Sequence, residues 1–330
     1  MASKTNIQSL DWEKGKYINP YTDFGFKKLF GTEANKDFLQ HFLQSLLHID
    51  GEITQLSFLN NARLGRLKHE RGAVFDIYCE TDKGVKFIVE MQKSEQKFFK
   101  DRSLFYATFP IQEQAKRGTT WNFELHAIYL VAILDFEFDD DTDEPDKYYY
   151  HVQLSDTDTN RVFYDKLTFV YLEMPKFTKT EDDLRTDFDK WLYVLKNLPK
   201  LQARPRALQE RVFQRLFHIA AIEKLSAKER RIYDESLKNY WDMQNVIDTA
   251  VEKAVEKAVE KVVKEKEDVI IGQAKALAEK EDAIMKQAKA LTEKEDIIIE
   301  QSKALAEQEK ALAEQEKEIK ALRRQIQPAK

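Results

Sequence analysis

The run "AVEKAVEKAVEKVV" (Ala250 to Val263) constrains this chain more than any other stretch. It opens a segment from about residue 248 that has no proline until Pro328. Near-repeats follow: "KALAEKE", "KALTEKE", then "KALAEQE" twice. One apolar residue returns every seventh position: Val263, Ile270, Leu277, Ile284, Leu291, Ile298, Leu305, Leu312, Ile319 and Ile326. A helix brings such residues onto one face, so the segment reads as a long helix reaching on the order of 100 Å. A coiled coil needs a second apolar position in each heptad. The residues three before the apolar ones are Ala274, Glu281, Ala288, Glu295, Ser302 and Glu309, a half-polar seam. Coiled-coil pairing is the expectation, and a solvated helix held by Glu–Lys pairs is the alternative.

The rest of the chain has a different texture. Residues 1–178 hold most of the glycine, proline and aromatic residues, and residues 179–247 read as a helical extension before the tail at 248–330. In the first region "NKDFLQHFLQSLL" has apolar residues at helical spacing. "AVFDIYCE" and "KFIVEMQ" read as strands joined by "TDKG". "QKFFKDRSLFYATFPIQEQAK" reads as a helix kinked or broken at Pro110. "LHAIYLVAIL" suits a strand buried on both faces, and "KLTFVYLEM" a further strand. Helix, strands, helix and strand in that order argue a mixed α/β core. The acidic run Asp139 to Asp146 lacks the glycine and closing glutamate of an EF-hand and reads as a solvated loop. In the extension, Ser226 and Glu229 form a capping-box pattern.

Charge and cysteine narrow the function classes. The net charge of −5 rules out a globally basic nucleic-acid binder, so any such surface is a local patch. The single cysteine, Cys79, excludes an internal disulfide and suits a reducing compartment. The N-terminal stretch shows no signal-peptide core, and no apolar run is long enough to span a bilayer. A cytoplasmic protein with no membrane partner is expected.

The two adjacent strands raise the question of chemistry. A three-residue loop through Asp82, Lys83 and Gly84 pairs Thr81 with Val85 and places Asp76 opposite Glu90. Alternation then puts Phe75, Ile77, Cys79, Phe87, Val89 and Met91 on an apolar core face. The other face carries Val74, Asp76, Tyr78, Ile88, Glu90 and Gln92, and its polar members need no burial. Facing carboxylates repel. They are reconciled by a shared proton, by a lysine or arginine, or by a divalent cation, for which oxygen ligands suit Mg²⁺ or Mn²⁺. Basic residues flank the pair: Arg63, Arg66, Lys68 and Arg71 before it, Lys93, Lys97, Lys100 and Arg102 after it. They form a candidate track for a phosphate backbone, equally readable as a charged rim. Arg102 and Tyr106 share a helix face. Cys79 has no histidine partner, and the six histidines show no ligand spacing.

Taken together, "NPYTDFGFKKLFG", "FDIYCETDKGVKFIVEMQ", "DRSLFY" and "AIYLVAILDF" resemble the PD-(D/E)XK nuclease family transposases over roughly residues 17 to 245. The resemblance implies a restriction-endonuclease-like core, a mixed sheet flanked by helices, and metal-dependent hydrolysis of DNA. It also implies that Asp76 and Glu90 bind the metal and that Gln92 stands where the wider superfamily has a lysine. Asp23 would be a lesser acidic contributor from the first helix. Of the flanking basic residues, Arg71, Lys93 and Arg102 are the expected DNA contacts. Two other readings remain: a weak or inactive nuclease fold serving as a DNA-binding scaffold that self-associates through its long helix, and an RNase-H-like transposase. The short spacing between Asp76 and Glu90 on adjacent strands, and the lack of an earlier strand with an acid, weigh against the latter.

Overall fold

The computed structural model describes residues 15–47, 49, 51–60, 74–115, 122–138 and 144–325, with side chains to 321. By their contacts the residues divide into two units, Met1–Asp248 and Thr249–Lys330.

The first unit is built on a six-stranded mixed sheet. Its strands are β1 (Leu56–Phe58), β2 (Ile77–Thr81), β3 (Lys86–Gln92), β4 (Ile128–Leu134), β5 (Tyr149–Ser155) and β6 (Val162–Glu173). They lie in the order β1-β2-β3-β4-β6-β5. β3, β4 and β6 run parallel, while β1, β2 and β5 are antiparallel to their neighbours. The edge strands β1 and β5 have no counterpart in the sequence reading. β1 spans only three residues, and β5 alternates Tyr150, Val152 and Leu154 with polar residues but is half-exposed or exposed throughout.

Helices cover both faces. α1 (Asp23–Phe30), α2 (Lys36–Leu46), α4 (Asp187–Asn197) and α5 (Arg211–Ala220) pack on one face. That core gathers Phe30, Phe42, Trp191 and Phe213 over Ile77, Phe87, Val89, Val131 and Val170. Residues beyond 178 therefore share this core: Trp191, Leu192, Leu195 and Leu216 are fully buried within it. α3 (Phe99–Gln114) covers the opposite face, where Phe75, Tyr78, Ile88, Leu130, Phe169 and Tyr171 form a second core. α3 joins β3 to the parallel β4 and runs through Pro110, which is buried without ending the helix.

The hairpin has the expected register, with Ile77 opposite Val89 and Glu80 opposite Lys86. Gly84 closes the turn at φ +77, the left-handed region that favours glycine. Two expectations about its faces are corrected. Glu90 and Gln92 are 2% and 7% exposed, because α3 turns the second face into a core as well. Phe75 joins that second core rather than the face of Ile77, because the backbone bends at Asp76 and breaks the alternation. Cys79 is buried as expected, and burial pushes its thiol up to about 12.

α6 (Ala227–Gln325) starts at the capping box: Ser226 N donates to Glu229 at 2.9 Å, and Glu229 N donates back to Ser226 Oγ at 3.3 Å. It continues without a break into the heptad segment. From Val263 to Ile319 the heptad residues are each about half exposed or more.

Candidate active site

β2 and β3 bring Asp76 and Glu90 together at one end of the sheet. Asp76 sits one residue before β2, at the bend. Its N–H donates to Glu90 Oε1 at 3.2 Å, and its Oδ2 accepts from Met91 N at 2.8 Å. Each carboxylate is thus tied to the other's strand. Both carboxyls are pushed upward, first by burial. For Glu90 the Asp76 charge adds to this, to about 8, while Arg102 pulls the other way. For Asp76 the Met91 N–H and Lys27 oppose the rise. The lysine that bridges the hairpin does so elsewhere: Lys86 pairs with Glu80 at 2.8 Å.

Gln92 is not left to point at water. Its Nε2 donates to Glu90 Oε2 at 3.0 Å, and its Oε1 accepts from Gln96 Nε2 at 3.2 Å. Gln96 in turn accepts from Arg102 Nη1, and Arg102 Nε donates to Tyr106 Oη at 2.7 Å. One polar relay therefore runs from α3 through the loop to Glu90. The sequence reading missed Gln96 because it lies in an irregular loop, where no periodicity assigns it a face. Arg102 and Tyr106 lie on the side of α3 that reaches the site, and the guanidinium stacks over the Tyr106 ring at 4.8 Å.

Asp23 lies in the first turn of α1, capped by Thr22, whose hydroxyl accepts from Gly25 N at 3.0 Å. It is exposed and pairs with Lys27 at 2.8 Å. Its charge reaches Asp76 and Lys93, so α1 brings an acid and a base to the site's rim. Lys27 is a second residue missed from the sequence, although its i,i+4 spacing from Asp23 is visible there. Lys93 is half-buried; burial lowers its ammonium, against the pull of Asp23 and Asp76. Arg71, Arg63, Arg66 and Lys68 lie outside the described residues, as does most of the Asp139–Asp146 run.

A sequence model of the PD-(D/E)XK nuclease family transposases matches residues 20–250. The chain belongs to this family. The match spans the whole sheet, its flanking helices and the start of α6, and the mixed sheet is consistent with the family's restriction-endonuclease-like fold. No curated protein and no solved structure matched the chain.

PD-(D/E)XK nucleases generally use divalent metals. Two close carboxylates, both held above their usual range by burial, are a donor set that a small hard cation fits. Among the described residues no three His, Cys, Asp or Glu side chains converge on one point. A cation here would draw two carboxylates from the chain, which matches Mg²⁺, an ion that keeps several waters and takes substrate phosphate oxygens. Among the described residues no helix is long and apolar enough to cross a membrane.

Proposed function

We propose that this nuclease-family chain is a metal-dependent DNA endonuclease acting in recombination or in mobile-element movement. The observation that carries the reading is the pair of half-buried Asp76 and buried Glu90, tied across the hairpin, both raised first by burial and Glu90 further by the Asp76 charge. Asp76 and Glu90 would hold Mg²⁺ or Mn²⁺. When bound, that ion would lower the pKa of water and stabilise charge on a phosphoryl oxygen.

The chain's own groups have separable tasks. Gln92 is a positioning residue: its amide fixes the Glu90 carboxylate and is itself held by Gln96. An amide cannot serve as a base, and both its ends are engaged. The positive charge that a lysine at Gln92 would supply falls instead to Lys27 and Lys93, both within electrostatic reach of Asp76. Arg102 supports Glu90 through its charge and through Gln96. Asp23 would steady Lys27 and Lys93 at the rim. Lys93 and Arg102 would also meet the DNA backbone, with Arg71 assigned the same role from sequence.

The test is plasmid cleavage with Mg²⁺ by purified wild type, Asp76→Asn and Glu90→Gln at matched concentration. Both variants should lose at least about a hundredfold in rate, the scale on which removing a group from a charge-stabilising site acts. Cleavage at the wild-type rate by either variant overturns the assignment. A second reading rests on the half-exposed heptad face of α6: a chain that keeps the nuclease fold and serves as a DNA-bound scaffold through self-association. Under it, Mn²⁺ would raise the Tm of wild type no more than that of Asp76→Asn.

A further inference from the structure

A pocket that the proposed chemistry does not use opens at the same end of the sheet. Asp135 is the first residue beyond β4, and its N–H donates to the Gln92 carbonyl at 2.9 Å. Strand ends of this kind are where open α/β sheets bind ligands. The cavity is about 310 Å³, and its lining includes Tyr21, Asp135, Lys196, Lys200, Tyr240 and Trp241.

The polar groups in it are unevenly satisfied. The Tyr240 hydroxyl lies 3.5 Å from Asp135 Oδ2 and donates to it, while bonding to the Asn19 side chain. Burial pushes Asp135 up to about 6. Tyr21 is 6% exposed, and among the described residues its hydroxyl has no hydrogen-bond partner. Lys196 is committed to the protein, donating to the Met174, Pro175 and Phe177 carbonyls at 2.9, 3.0 and 2.6 Å. Lys200 is exposed at the mouth.

This set selects a ligand class. A phosphate deep in the pocket would meet the Asp135 carboxylate. A bare cation would meet Lys196 and Lys200, whose charges already act on Asp135. An aliphatic ligand would leave the Tyr21 hydroxyl unsatisfied and give the Asp135 carboxylate no donor beyond Tyr240. A flat heterocycle with an amino group satisfies the acceptor and the hydroxyl, packs against an indole, and can leave an attached phosphate near the lysine at the mouth.

We propose that this pocket holds a nucleobase bearing an exocyclic amino group, unstacked from the DNA strand engaged at Asp76 and Glu90. The amino group donates to Asp135, the Tyr21 hydroxyl bonds the ring edge, Trp241 packs against the base, and Lys200 meets its phosphate. The inference rests on the DNA reading of the neighbouring site. Unstacking is cheapest in a single strand, which makes single-stranded DNA the natural probe.

The experiment uses the full chain without divalent metal, so that binding is read apart from cleavage. Affinities are measured by fluorescence anisotropy for labelled single-stranded (dC)5 and (dT)5, with unlabelled dCMP as competitor. Wild type should bind (dC)5 about tenfold more tightly than (dT)5, the scale of one good base contact. Tyr21→Phe removes a hydroxyl that bonds nothing among the described residues, so its Tm should hold or rise while (dC)5 binding weakens. In Asp135→Asn the Tyr240 hydroxyl keeps the amide oxygen, leaving the NH₂ toward the base, and preference should move toward (dT)5, whose O4 accepts. Equal binding of the two oligonucleotides by wild type, or an unchanged preference in Asp135→Asn, overturns the proposal. So does (dC)5 binding that dCMP never displaces, or dCMP binding without (dC)5 binding. The neighbouring site fails by a different sign, namely Mg²⁺-dependent cleavage that survives Asp76→Asn.

Discussion

Glu90 is where burial and charge conflict most directly. Its carboxyl is pushed up to about 8 in the folded protein and has an ordinary value once unfolded. Between those two values the folded state holds a proton that the unfolded chain has released. Stability of the metal-free protein therefore falls as pH rises from about 4.5 to about 8. Thermal melts across that range should show a declining Tm in wild type and a flatter profile in Glu90→Gln. On the proposed reading saturating Mn²⁺ should reverse the slope in wild type, because a metal held there would favour the deprotonated pair. A metal-free profile that is flat in wild type would remove the electrostatic basis for a cation site. At the same scale, Gln96→Ala leaves Gln92 Oε1 without its donor and removes the acceptor of Arg102 Nη1, while Arg102 keeps its bond to Tyr106. It should lower kcat by about tenfold or more with little change in Tm, because the loop is partly solvated.

The elements that carry the site are set by two glycines with different constraints. Gly25 packs α1 against the preceding loop: a Cβ there would lie 2.0 Å from the Asn19 carbonyl oxygen. The backbone cannot yield to that contact cheaply, so Gly25→Ala should displace the turn that presents Asp23. Gly84 combines a positive φ with His126 ring atoms 3.0 Å from a Cβ. Its strain and crowding together predict roughly 1–2 kcal/mol for Gly84→Ala. Thermal melts should rank the two, with Gly25→Ala losing more than the roughly 2–8 °C expected for Gly84→Ala. The hairpin register is legible in the amino-acid order alone, because the Gly84 turn and the apolar alternation agree on it. The face of Glu90 is legible too, but its burial is not. Alternation says which side a residue takes, and only α3 packing over that side removes it from water.

For the whole molecule, the tail asks what covers its heptad residues. Ile284 and Leu291 are 64% and 62% exposed in the single chain. A row of this kind is stabilised by a matching helix, and the half-polar seam limits how strongly. Sedimentation velocity on the full chain should show concentration-dependent self-association. Replacing Ile284 and Leu291 with lysine should abolish it, while the Mn²⁺-induced Tm shift of the first unit stays unchanged. A full chain that remains monomeric at high micromolar concentration would count against the scaffold reading.

The sequence by itself determined the long helix, the hairpin register, the doubly buried β4 and the meeting of Asp76 with Glu90. Each is a local or nearest-neighbour matter, fixed by periodicity, a glycine turn or strand alternation. The structure decided what those signals cannot carry. It closed α3 over Glu90 and Gln92, broke the alternation at Asp76 to send Phe75 into the second core, and drew α4 and α5 into the same core as α1 and α2. It also joined Gln96 and Arg102 to Gln92 and set Tyr21, Asp135 and Tyr240 around one cavity. These groups come from separate elements and share no spacing. What brings them together is long-range packing, and long-range packing leaves no period in the chain.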